Sequence, residues 1–147
     1  LKREPGGECL FCAIQDKRSA DDENRVLFRG LHHFVIINAY PYSNGHVMVV
    51  CNRHVEHFND LEPAETAEMG DLIRRCEKAI LDADNPGGIN MGANLGRSAG
   101  AGIAGHLHVH LVPRWHGDTN FMTTVADARV VSEGLEESYR RLRPQFE

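Results

Sequence analysis

Nowhere in this chain do apolar residues run on for the roughly 20 positions that a membrane-spanning helix needs, so a transmembrane reading has nothing to rest on. Positive charge is short as well: 16 Lys and Arg face 21 Asp and Glu, a formal net charge of −5. Tracking a nucleic-acid polymer requires a clustered positive surface. That requirement argues against a nucleic-acid scaffold and leaves a small phosphorylated ligand, which needs only a local site. Cysteine is sparse, with four in 147 residues, so the expectation is a reduced, cytoplasmic protein with at most one metal site. The opening LKREPGGE leads into no apolar h-region, and no secretory signal is expected. Gly 14 and Pro 6 are ordinary values, internal repeats and low-complexity tracts are missing, and no Walker sequence announces a P-loop. The length supports one domain with its own core: a polar, flexible segment over 1–8, then a single domain over 9–147.

What is present sorts into two batches of strand-like segments around one long helical segment. β-branched and aromatic residues dominate Val26–Phe28, His33–Asn38 and His46–Val50. Arg29-Gly30 reads as a hairpin connection, AYPYSNGH as a loop, and Ser19–Asn24 (SADDEN) as a solvated turn. From Pro63 to about Asp82, Met69, Leu72, Ile73, Cys76 and Ile80 recur every three or four positions, the stripe of an amphipathic helix. Ile89–Gly92 and His106–Val112 supply two further strands, separated by the glycine-rich GANLGRSAGAGIAG. Val131–Leu142 reads as a C-terminal helix, docked through Tyr139 and Leu142. Without βαβ repetition, the pattern predicts an α+β fold with a largely antiparallel sheet.

Two motifs carry chemistry. In GHLHVHLVPRW, His106, His108 and His110 alternate with Leu107, Val109 and Leu111, so a strand would put three imidazoles on one face and the aliphatic set on the other. Packing alone is a poor reason for three adjacent rings whose nitrogens all need partners. The second motif is CLFC, with Cys9 and Cys12 at C-x₂-C spacing. Two thiolates so placed can join two histidines in a tetrahedral structural site. Spacing alone neither selects those ligands among nine histidines nor separates a metal pair from a redox pair.

HLHVHLV resembles the His-φ-His-φ-His-φ-φ signature of the histidine-triad (HIT) nucleotide-binding family, φ being apolar. CLFC, FVIINAYPYSNGHVMVV, RHVEHFNDL, NMGANLG and VPRWHGDTNFM extend the resemblance over about residues 9–125, and the set is similar to the family's diadenosine-tetraphosphate phosphorylase-like branch. The resemblance implies a five-stranded antiparallel half-barrel with one long helix and a C-terminal helix, paired as a homodimer. It implies that His108 is the nucleophile, forming a nucleotidyl-imidazole on attack at phosphorus, and that His110 donates to a phosphate oxygen. It implies a structural Zn²⁺ held by Cys9, Cys12, His54 and His106. For the nucleotide it implies ribose contact by Asn38, phosphate contact by Asn94 and by Ser98, and a site-shaping role for Trp115, with Phe121 beyond the HGDTN segment; His46 would support the site from behind.

Two features depart from the family pattern. Common hydrolase members carry GQ(S/T)V-x-HxHxH, whereas this chain has GAGIAGHLHVH with one residue more after NLG. Ala101 and Gly102 cannot supply those side-chain contacts to phosphate. Cys51 stands where relatives often place proline and is expected to pack, as is Cys76. The function so implied is phosphorolysis of diadenosine tetraphosphate to ATP and ADP, with inorganic phosphate as acceptor. The alternatives are hydrolysis of dinucleoside polyphosphates or adenosine phosphoramidates, and nucleotide binding without turnover. No polymeric nucleic acid or membrane enters as a partner.

Overall fold

Strands that read VMVV and FVII, without polar alternation, need apolar material on both faces, and the structure supplies it. The computed structural model describes residues 9–103, 105–118 and 133–147. The opening segment 1–8, Phe121 and the first residues assigned to the C-terminal helix, 131–132, lie outside the described residues. Strands β1 (Val26–Arg29), β2 (His33–Ile37), β3 (Val47–Cys51), β4 (Gly88–Gly92) and β5 (His108–Arg114) form one open sheet in the order β1-β2-β3-β5-β4, with every neighbouring pair antiparallel. β2 and β3 are buried at every position. One face, carrying Val35, Ile37, Val47, Val49, Val109 and Leu111, packs on the long helix α3 (Pro63–Asp84) and on α4 (Leu135–Leu142). The opposite face, carrying Phe34, Ile36, Met48 and Val50, packs on Phe11 and Ile14 of the short helix α1 (Leu10–Asp16).

α3 starts and stops where its sequence directs. Pro63 occupies the first turn, where a missing N–H costs nothing, and Glu62 and Glu65 form a capping box. Asn85 closes the helix in the left-handed region at φ 45°, its N–H donating to the Leu81 carbonyl. Met69, Leu72, Cys76, Ala79 and Ile80 are the buried stripe. Truncating Ile80, fully buried, to alanine would cost about 2–5 kcal/mol.

Three expected boundaries shift for identifiable reasons. Ser19–Asn24 keeps Ser19, Asp22 and Glu23 exposed but is helical: a 3₁₀ turn over Arg18–Ala20 runs into a one-turn helix α2 (Asp21–Asn24). There the Asp21 carboxylate accepts hydrogen bonds from Nε and Nη2 of Arg29, whose guanidinium also reaches the Ile14 carbonyl at 3.0 Å and Gln15 Oε1, clamping the end of α1 to the sheet. The last central strand begins at His108 rather than His106. The backbone before it bonds sideways, Leu107 N–H to the Val55 carbonyl at 2.6 Å and Cys51 N–H to the Leu107 carbonyl at 3.2 Å. The C-terminal helix begins after Gly134, whose extended backbone (φ −72°, ψ 153°) precedes the first turn.

Candidate functional site

At one end of β3 and β5 the structure brings Cys9, Cys12, His54 and His106 together, with one ligand atom of each within 4.8 Å of all the others. Cys9 stands at the start of α1 and Cys12 one turn further on. Next to His54, Arg53 is locked to the first turn of α3 by paired bonds of 2.7 Å to Glu65, which pins the segment. His106 is buried, and its Nε2–H donates to the Cys51 carbonyl at 2.6 Å. That bond leaves the Nδ1 lone pair facing the thiols, 3.2 Å from Cys9 Sγ and 3.7 Å from Cys12 Sγ; His54 Nδ1 is 3.3 Å from Cys12 Sγ. A tetrahedral ion with sulfur at about 2.3 Å and nitrogen at about 2.0 Å spaces its ligands by about 3.3–3.8 Å. These four side chains therefore fit a Cys₂His₂ metal site, with the far nitrogen of His106 already oriented by a backbone carbonyl.

His106, His108 and His110 face the α1 side of the sheet, and Leu107, Val109 and Leu111 enter the core under α3. Burial pushes the imidazoles of His106 and His108 below their ordinary value. It carries His110 down to about 4, the neighbouring His108 adding to the effect. The rings are thus neutral near pH 7, and their partners fix which nitrogen carries the proton. His108 Nδ1–H donates to the His106 carbonyl at 2.7 Å, leaving Nε2 as the lone-pair nitrogen. Around His110 the order is reversed. The Tyr42 backbone N–H donates to His46 Nδ1 at 3.1 Å, so neutral His46 carries its proton on Nε2. That Nε2–H donates to His110 Nδ1 at 2.9 Å, so neutral His110 holds its own proton on Nε2. A nucleophilic nitrogen and a donor N–H stand on neighbouring rings, 4.8 Å apart between centroids.

Gly45 makes this arrangement possible. It sits at φ +72°, and a Cβ there would lie 2.6 Å from Asp84 Oδ2, so only glycine turns the SNGH loop tightly enough to bury His46. Asn38 lies beside His46, but its Oδ1 accepts the Tyr40 N–H at 2.9 Å, closing a local turn. Asn94 and Ser98 lie on the exposed loop before β5. Asn94 Nδ2–H donates to the Gly100 carbonyl at 3.4 Å, and the Gly100 N–H is taken by the Arg97 carbonyl at 3.0 Å. The amide of Gly100 is therefore spent on the turn, not offered to a ligand. Trp115 follows β5, partly exposed.

His46, expected behind the site, bonds directly to His110, and the Tyr42 amide that orients it and Phe11, which meets His106 and His108, are not among the expected site residues. The GH step was a signal for His46. A backbone amide leaves no trace in side-chain identity, and Phe11 looks like any core aromatic until its neighbours are known.

Residues 19–117 match the family model of the HIT domain. The AP-4-A phosphorylase of Mycobacterium tuberculosis is 40% identical over 127 residues, covering 86% of this chain and 65% of that protein, so the chain spans less than two thirds of the length of this relative. An asymmetrical bis(5'-nucleosyl)-tetraphosphatase of Schizosaccharomyces pombe is 30% identical over 95 residues, 65% of this chain and 52% of the relative. Among solved structures, a Zn-bound histidine triad family protein from Mycobacterium smegmatis superimposes with a TM-score of 0.74 at 28% identity, covering 94% of this chain and 92% of that one.

Proposed function

Because this chain belongs to the HIT domain family, we propose that it is an enzyme that transfers a nucleotidyl group from a dinucleoside polyphosphate, with diadenosine tetraphosphate as substrate and inorganic phosphate as acceptor. The observation that carries the reading is the hydrogen-bond pattern on adjacent rings, which assigns a bare Nε2 to His108 and an N–H to His110 Nε2. His108 Nε2 attacks the α-phosphorus, a P–N bond forms, and the P–O bond to the leaving nucleoside polyphosphate breaks, its electron pair departing with that oxygen. His110 Nε2–H donates to a phosphate oxygen as charge develops, in a setting whose dipoles are already oriented. An oxygen of inorganic phosphate then attacks the same phosphorus and the P–N bond breaks. The products are ATP from the first step and ADP from the second.

Asn38 takes the ribose, Asn94 and Ser98 contact phosphate, and Trp115 borders the nucleotide. Cys9, Cys12, His54 and His106 hold a structural zinc, supported by their donor chemistry and spacing. With the ion bound, these four residues would tie the start of α1 to the segment that enters β5. The protein works in the cytoplasm as a homodimer.

The 40% identity to a phosphorylase supports phosphate as acceptor, and the 30% identity to a tetraphosphatase makes water the second reading. Incubating the protein with diadenosine tetraphosphate, with and without phosphate, separates them. Equal ATP and ADP under a strict phosphate requirement is the expected result. AMP with ATP formed in phosphate-free buffer would replace phosphorolysis by hydrolysis, and binding without turnover would remove the enzymatic reading.

A further inference from the structure

Between the two cysteines of CLFC stands a residue to which no role has been given. Phe11 is 1% exposed. Its ring meets His106 at 5.3 Å between centroids (69° between planes) and His108 at 5.1 Å (60°), with Phe34 beneath it at 6.3 Å. One aromatic ring thus touches both a side chain of the thiol–imidazole cluster and the ring of His108, whose Nε2 carries the lone pair. We propose that Phe11 is a positioning residue, a wall that transmits closure of the Cys9–Cys12–His54–His106 cluster to the ring orientation of His108. The inference rests on the nucleophilic role of His108 argued above.

The reasoning starts from what holds α1. The helix has seven residues, no side-chain cap at its N-terminus and no acidic residue in its first turn. Isolated helices shorter than about 12 residues are marginal in water, so its placement comes from tertiary anchors. Its far end is clamped by Arg29 through the Ile14 carbonyl and Gln15. Its near end, where Phe11 sits, has Cys9 and Cys12 reaching His106 and His54.

His108 needs such a wall. Among the described residues its ring has one polar tether, the Nδ1–H bond to the His106 carbonyl. A half-turn about χ2 would swap Nδ1 for carbon at that carbonyl and present carbon instead of Nε2 to phosphorus. Phe11 and His110 both lean on the ring and leave little volume for the turn. Loosening the start of α1 withdraws Phe11 and frees it.

The test compares Phe11→Ala, which opens the space, with Phe11→Leu, which refills most of it. Nitrogen-15 NMR of labelled histidine reads the His108 Nδ1–H and needs no turnover. Alongside it run bound zinc by metal analysis, AMP affinity, and the single-turnover rate of protein–nucleotide bond formation. Expected for Phe11→Ala is retained zinc, faster exchange of the His108 Nδ1 proton, AMP affinity within about threefold and a transfer rate lowered about 10- to 100-fold, as for a misplaced reacting group. Phe11→Leu should recover most of that rate, and stripping zinc from the unaltered protein should reproduce the Ala exchange behaviour. Unchanged His108 exchange in zinc-loaded Phe11→Ala, or in the stripped parent, would overturn the proposal. Should Phe11→Ala fail to fold, Phe11→Leu and the stripped parent decide it on the same readout. If the parent transfers no nucleotide, the proposed reaction falls while the NMR comparison still judges Phe11.

Discussion

Replacing His46 by Asn tests the proton placement on which the chemistry depends. His46 is fully buried, and its Nε2–H is the donor that keeps His110 Nδ1 an acceptor. An asparagine amide reaches about as far as the imidazole Nδ1, so it can still meet the Tyr42 amide but falls short of His110. Glutamine reaches the Nε2 position and can restore the donor. A neutral hydrogen bond of about 1 kcal/mol biases the His110 tautomer by about fivefold, and stranding a buried acceptor costs about 1–3 kcal/mol of stability. At about 2–4 °C per kcal/mol for a chain of this size, His46→Asn should melt several degrees lower. Misdirecting the His110 proton removes a donor aimed at developing phosphate charge, for which a cost of about 10²–10³ in rate is the upper bound. The expected fall in single-turnover transfer is about tenfold, with AMP affinity nearly unchanged and His46→Gln within about threefold of the parent. An Asn variant at the parental rate, or a Gln variant as slow as Asn, would refute the relay from Tyr42 through His46 to His110.

His108→Asn removes the nucleophile while keeping a polar side chain: nucleotide binding should persist, and acid-labile nucleotide attached to protein should vanish from quenched reactions. Cys9→Ser should lower bound zinc and melting temperature together, and an unchanged metal content would dismiss the four-ligand set. The Arg53 guanidinium, together with the Glu62 amide, holds the Glu65 carboxyl at about 2, against its ordinary 4.5 and in spite of burial. A carboxyl depressed in the fold contributes stability that is present above its unfolded value and lost as pH falls through the folded one. Glu65→Gln should accordingly flatten the acid-unfolding curve between about pH 4.5 and 2 and leave the shape of the curve unchanged above it; an identical acid limb in both proteins would show that the pair contributes nothing there.

Most of the sheet was legible because its strands announce themselves chemically. FVII and VMVV are too apolar for a sheet with a wet face, and β2 and β3 are indeed buried throughout. α3 was legible at its start from Pro63 and along its stripe, and it runs two residues past the expected end, to Asp84. Two of the boundaries that moved answer to partners outside the local segment. His106 falls outside the ladder because the N–H of its neighbour Leu107 bonds to Val55 rather than to β3, and no periodicity records such a partner. Ser19–Asn24 became helical because Arg29 recruits Asp21, a pairing eight residues apart.

By itself the sequence determined the kinds of groups present and the face each would occupy. Alternation puts three imidazoles on one side of a strand, and C-x₂-C spacing puts two thiols within reach of one another. Tertiary structure alone decided which nitrogen of each ring carries a proton, that His46 bonds directly to His110, and that Phe11 touches both clusters. The physical reason is that side-chain direction follows from local backbone geometry, whereas a tautomer follows from a partner. Here those partners are a carbonyl two residues back for His108 and, for His110, a histidine 64 residues away.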